Sequence, residues 1–155
     1  MRTTRLALAA AVLAAATAAV ALSAALPAPA EFRGWAHVKS MVITDKSHGL
    51  YGFHDVYADP AALQALKSGG AYPEGARFAV SFYDVTTEGP MLSQGKKRMD
   101  TFMRKDKAAT ATGGWTFAAS GPDGKPLALD VVKGCYECHA GGAKQTDLVF
   151  SKWVE

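Results

Sequence analysis

The stretch Cys135-Tyr136-Glu137-Cys138-His139 constrains this 155-residue chain more than any other. It holds both cysteines of the protein and sets a histidine directly after the second. Two thiols at i and i+3 with an imidazole at i+4 match the attachment site of a c-type haem. The chemistry needs this spacing, because each thiol adds across one vinyl group to form a thioether. A short turn bearing both sulfurs leaves the His139 imidazole beneath the macrocycle, placed to bind iron as the proximal ligand. Three other readings compete. A disulfide between Cys135 and Cys138 is open to any Cys-x-x-Cys pair. A thioredoxin-like redox pair needs a βαβ context that the flanking residues lack. A structural zinc site needs four ligands, usually from two separated pairs, whereas His37, His48 and His54 are single and scattered. The expected cofactor is one haem c, covalent through Cys135 and Cys138, with His139 as the metal ligand.

The N-terminus has the form of an export signal. Basic Arg2 and Arg5 precede an almost unbroken, alanine-rich apolar run over residues 6–26. A basic start, an apolar middle and a small-residue end read as a secretory leader. Ser23-Ala24-Ala25 and Ala28-Pro29-Ala30 are both candidate cleavage sites. Residues 1–30 are therefore assigned to a signal peptide, and 31–155 to one haem-binding domain of ordinary size. The alternative is an uncleaved anchor, since about 20 apolar residues can span a bilayer. Membrane association is expected only in that case. Export suits the motif, because the resemblance to c-type cytochromes implies haem attachment outside the cytoplasmic membrane, in the periplasm. The formal charge is +3 from 17 basic and 14 acidic residues. Loss of Arg2 and Arg5 brings the mature domain close to neutral, without the strongly basic patch that nucleic-acid binding requires.

The mature chain reads as a mainly β (α+β) domain, an antiparallel sheet with a few short helices. Residues 31–42 (EFRGWAHVKSMV) place Phe32, Trp35, Val38 and Val42 at helical intervals, which predicts a short amphipathic helix. Residues 50–57 are rich in aromatic and β-branched side chains and predict a strand. Asp59 as cap, Pro60 at the first position and Gly69 at the end predict a helix between them. Residues 76–85 form the best strand, with Phe78, Val80 and Phe82 on one face at period two. Gly89-Pro90 should break it, and residues 97–105 predict the next strand, with Met99, Thr101 and Met103 on one side. A further strand is expected at residues 115–118, one or two helical turns at 126–132, and a closing strand at 147–154.

A haem motif near the C-terminus of a strand-rich exported domain differs from the small helical cytochromes c, whose motif lies near the N-terminus. The chain resembles the cytochrome P-460 family, including its cytochrome c′-beta branch, over nearly all of the mature region. Its marks are Trp35 with Val38-Lys39-Ser40, Leu50-Tyr51-Gly52-Phe53-His54 and Val56-Tyr57-Ala58-Asp59-Pro60. They continue through Tyr72-Pro73-Glu74-Gly75, Met103-Arg104-Lys105-Asp106, Gly113-Gly114-Trp115, the haem motif and Thr146-Asp147-Leu148-Val149-Phe150-Ser151. The resemblance implies an antiparallel β fold, usually a homodimer, with one c-type haem per chain and five-coordinate iron on His139. It also implies a fork. In the enzymatic branch a lysine on the strand after the Pro-x-Gly turn is bonded to the haem edge, and those proteins oxidise hydroxylamine. In the c′-beta branch that bond is missing, phenylalanines cap the distal side, and the ligands are nitric oxide and carbon monoxide.

Residues 76–85 contain no lysine, and Val80 stands where the cross-linking lysine is expected from its distance to Gly75. Phe53 and Phe82 are the candidate distal cap, with Phe78 as the alternative; ordinary core packing explains the same apolar positions equally well. Alternation along the strand should turn His54 away from Phe53, and Arg98 is the other nearby polar candidate. The leading reading is a gas-binding cytochrome with an additional redox partner. A hydroxylamine-oxidising enzyme would need a lysine from elsewhere, such as Lys96 or Lys97. An electron-transfer cytochrome with His/Met ligation would draw on Met91, Met99 or Met103, although methionine is more often a core filler.

Overall fold

The computed structural model describes residues 29–154. The expected leader therefore falls almost entirely outside the described residues. Five strands form one antiparallel sheet in sequential order: β1 Ala36–Ile43, β2 Gly52–Ala58, β3 Arg77–Glu88, β4 Met91–Lys105 and β5 Trp115–Ser120. Helix α1, Pro60–Ser68, lies between β2 and β3, and helix α2, Glu137–Ala143, follows β5. The architecture is the mainly β arrangement expected from the sequence.

The local signals explain much of it. The Asp59 carboxylate accepts the Ala62 N–H at 2.8 Å and caps α1, Pro60 opens the helix, and Gly69 ends it at φ 66°. Glycine takes that left-handed backbone at no steric cost. Gly89-Pro90 forms the two-residue turn between Glu88 and Met91, so β4 starts six residues earlier than expected and pairs with the whole of β3.

Three expectations are corrected. Residues 31–42 are not a helix: a 3-10 turn at Phe32–Gly34 leads directly into β1. The helical spacing of Phe32, Trp35 and Val38 is overridden by ladder bonds from β1 to β2, which suit β-branched Val38, Val42 and Ile43. Residues 147–154 are not a strand, because Asp147 (φ 50°) and Leu148 (φ 65°) are both left-handed and no neighbouring strand pairs with the segment. It packs as an irregular tail with Leu148 and Val149 buried. Helical backbone after β5 begins near Val132, and Pro126 instead bridges to Ser120.

The register divides the sheet into two faces. His54, Val56 and Ala58 of β2 stand opposite Phe82, Val80 and Phe78 of β3, which in turn stand opposite Met99, Thr101 and Met103 of β4. This face carries the main core, with Val56, Phe78, Phe117 and Trp115 packed against Leu66 of α1 and Leu148 of the tail. On the other face Phe32 closes a smaller cluster, edge-on to Tyr57 and Phe102 at 5.7 and 5.4 Å. Beside it runs a polar rung across all five strands: Ser40, Asp55, Ser81, Asp100 and Ser120.

Candidate functional site

The motif is helical from end to end. A π-helical turn, Val132–Tyr136, runs into α2, so Cys135, Cys138 and His139 lie three and four residues apart on one helical face. Wide π turns inside helices are frequently found at functional positions. Both cysteines are free thiols, Cys135 half-buried and Cys138 exposed. Burial pushes the Cys135 thiol up in pKa, and the neighbouring Cys138 adds to this. Cys135, Tyr136 and Ala140 pack on the main core cluster, and Val80 packs against that cluster from β3.

His139 is held in one tautomer. Its Nδ1–H donates to the Leu148 carbonyl at 2.6 Å, which leaves the Nε2 lone pair unused. Burial lowers its pKa, outweighing the opposite effect of the Leu148 bond, so the ring is neutral near pH 7. A neutral imidazole with one nitrogen tied to a carbonyl is the ordinary form of a metal-ligating histidine. Phe117 and Phe150 pack on the ring with centroids 5.3 and 5.0 Å away. Gly142 makes room for Phe150, since a Cβ there would lie 2.5 Å from its Cε1.

Around the motif the protein leaves apolar surface uncovered. Leu127, Leu129, Val132 and Phe150 are 40%, 42%, 39% and 47% exposed. The Leu127 N–H donates to the Ala119 carbonyl at 2.9 Å, which sets this loop beside the edge of β5 at the level of Val80. Val80, Thr101 and Met99 on the same sheet face are only half-buried. Thiols, an unused imidazole nitrogen and an open apolar wall fit a haem, which would be held by Cys135, Cys138 and His139.

The distal candidates separate. Phe82 is buried on the site face, and Phe78 is core, edge-on to Tyr72 at 5.4 Å. Phe53 pairs with Tyr83 and projects from the opposite face, so the structure does not bring it together with Phe82. His54 is the residue that stands opposite Phe82, their rings 4.4 Å apart. Alternation does turn His54 away from Phe53, as expected; the pairing of Phe53 with Phe82 as a distal cap is what the register corrects. Its Nε2–H donates to the Leu50 carbonyl at 2.7 Å, and burial lowers its pKa. Lys97 is turned to the other face, with Nζ 2.5 Å from Asp100, and Lys96 is exposed on the hairpin. Met91 is at the hairpin tip, Met103 in the core, and Met99 on the site face. Sequence reading missed Phe117, Phe150 and the Leu148 carbonyl; only the Thr146–Ser151 stretch of the resemblance hinted at them.

Such a fold and motif define the class of haem-binding cytochromes. A model of the family described as Cytochrome P460 matches residues 29–151. The chain belongs to the Cytochrome P460 family. No curated protein matches it.

Proposed function

We propose that the protein is an exported c-type cytochrome that binds neutral diatomic gases, nitric oxide or carbon monoxide, on an apolar distal side. When bound, the haem would supply an iron able to take a neutral diatomic ligand. Cys135 and Cys138 would hold the group by thioethers, and His139 would ligate from below through Nε2. The observation that carries the reading is Val80. It stands on the site face of β3, a strand without lysine, where the cross-linking branch of the family would have one.

Valine has no nucleophilic atom and offers no hydrogen bond. Phe82 beside it adds bulk without a donor. A wall of this kind gives no stabilisation to anionic ligands and controls neutral ones through steric access. Hydroxylamine oxidation also needs a base to take protons as electrons leave; Val80, Phe82 and Met99 provide none, and His54 beside Phe82 is buried with its Nε2–H given to the Leu50 carbonyl. Lys97, a candidate for a rebuilt cross-link, is committed to Asp100 on the far face.

Met99 favours a second reading, electron transfer with His/Met ligation, because it lies on the site face and is half-buried. We assign the protein to the periplasm, as a homodimer with a separate redox partner that returns the iron to the ferrous state. The absorption spectrum of the reduced protein before and after carbon monoxide separates the readings. A five-coordinate spectrum that shifts on adding the gas supports gas binding. A six-coordinate spectrum that ignores it supports Met99 ligation. Turnover of hydroxylamine would establish the enzyme instead.

A further inference from the structure

Three stretches that carry the family resemblance outside the haem motif meet at one point in the fold. Lys105 ends β4, Trp115 begins β5, and Asp147 lies in the turn after α2. The Lys105 ammonium donates to both carboxylate oxygens of Asp147 at 2.7 Å, with its side chain 12% exposed. The Trp115 indole N–H donates to the same carboxylate at 3.3 Å, and the Lys105 ammonium lies 4.9 Å from the indole ring centre. Trp115 is completely buried. The carboxylate is thus gripped from two strands.

What it anchors is a strained turn. Asp147 and Leu148 are the non-glycine residues with positive φ among those described, and they are consecutive. Such backbone is unfavourable for side-chain-bearing residues, leucine especially, and persists only where the surroundings impose it. The Leu148 side chain is pinned as well: a Cβ added at Gly113 would lie 2.9 Å from Leu148 Cδ1 and 3.0 Å from Tyr136 Cε2. The Leu148 N–H donates to the Ala143 carbonyl at 2.8 Å. The outcome of this turn is the direction of one carbonyl, that of Leu148, which accepts the His139 Nδ1–H.

We infer that Lys105, Asp147 and Trp115 are positioning residues for His139. Their ion pair and hydrogen bond hold the left-handed turn, the turn aims the Leu148 carbonyl, and the carbonyl fixes the tautomer, ring orientation and basicity of the imidazole. This rests on the reading of His139 as the iron ligand. It also gives Lys105 a structural task different from a bond to the haem edge. A strong hydrogen bond at Nδ1 makes the ring a better donor through Nε2, so losing it weakens the metal bond and disfavours the oxidised iron.

The test uses the haem-loaded full-length protein with four substitutions: Asp147→Asn, Lys105→Met, Lys105→Arg and, on the opposite face, Asp100→Asn. Resonance Raman of the ferrous form reads the iron–histidine stretch, and a redox titration reads the midpoint potential. Asp147→Asn suits the turn because asparagine tolerates left-handed backbone, so the variant removes charge with little change of shape. Asp147→Asn and Lys105→Met are expected to move the stretch to lower frequency and raise the potential. Lys105→Arg should return both towards the parent values. Asp100→Asn, which weakens the fold away from His139, should move neither. An unchanged stretch in both Asp147→Asn and Lys105→Met, or an equal shift in Asp100→Asn, would overturn the inference alone. Absence of an iron–histidine stretch in the parent protein would overturn the ligand assignment beneath it as well.

Discussion

The two faces of one sheet are finished differently. On the far face, alternate residues of the strands build a polar rung whose carboxylates are paired. Ser40 donates to Asp55 at 2.6 Å, Gln94 to the other oxygen of Asp55 at 2.7 Å, and Ser81 to Asp100 at 2.7 Å. Lys97 balances Asp100. Buried carboxylates persist only when paired in this way. On the near face the same strands present Val80 and Met99, which need no polar partner, with Thr101 between them, and all three are only half-buried. The far face pairs both of its buried carboxylates within the protein and leaves only the Ser120 hydroxyl without a partner among the described residues; the near face leaves Val80, Thr101 and Met99 half-buried. That contrast, together with His139 packed on Phe117 of β5, is what the proposed haem site rests on.

Removing the motif breaks the contrast most severely. Cys135→Ser with Cys138→Ser should abolish covalent haem, and His139→Ala should abolish the five-coordinate ferrous spectrum. Haem staining of denatured protein and absorption spectroscopy check these. Next in size is Phe82→Ala, which empties a buried aromatic site on the near face. It should cost about 3–4 kcal/mol by denaturant titration and speed association of carbon monoxide in stopped-flow measurements. Asp100→Ala attacks the far face. It strands Lys97 and Ser81, but Lys97 keeps contact with water, so about 2 kcal/mol is expected, with the haem spectrum unchanged. Should Asp100→Ala alter ligand binding as much as Phe82→Ala, the functional division of the faces would fall.

The smallest effect concerns His54, which is 2% exposed. Burial depresses its folded pKa below the ordinary value. Below that ordinary value, about 6.5, the unfolded chain takes up a proton that the folded protein refuses, so stability falls as pH decreases through that point towards the depressed folded pKa. Above about pH 7 the term is flat. Denaturant titrations at pH 5.5 and 7.5 should show this slope, and His54→Gln should reduce it.

Much of the candidate site was legible because it rests on local chemistry. The spacing of Cys135, Cys138 and His139 keeps three groups within five residues, expected on a short turn and found on a helical one. The α1 helix was equally legible, since Asp59, Pro60 and Gly69 act within a few residues. What failed was non-local. A single strand shows that Phe53 and His54 point opposite ways, but only the pairing of β2 with β3 decides which one joins Phe82. One register step exchanged them. The spacing of Phe32, Trp35 and Val38 satisfies a helix as well as a strand, and the ladder to β2 decided it. The Leu148 carbonyl was invisible because a backbone group has no signature in the sequence.

The central claim, a haem held by this motif against the open face, meets its most direct test in the intact mass of the acid-denatured, haem-loaded protein. The account predicts the mature polypeptide plus one haem with two thioether bonds, and a tryptic haem peptide that contains Cys135 and Cys138 and no lysine cross-link. A polypeptide without retained haem, carrying instead a disulfide between the two cysteines, would contradict it.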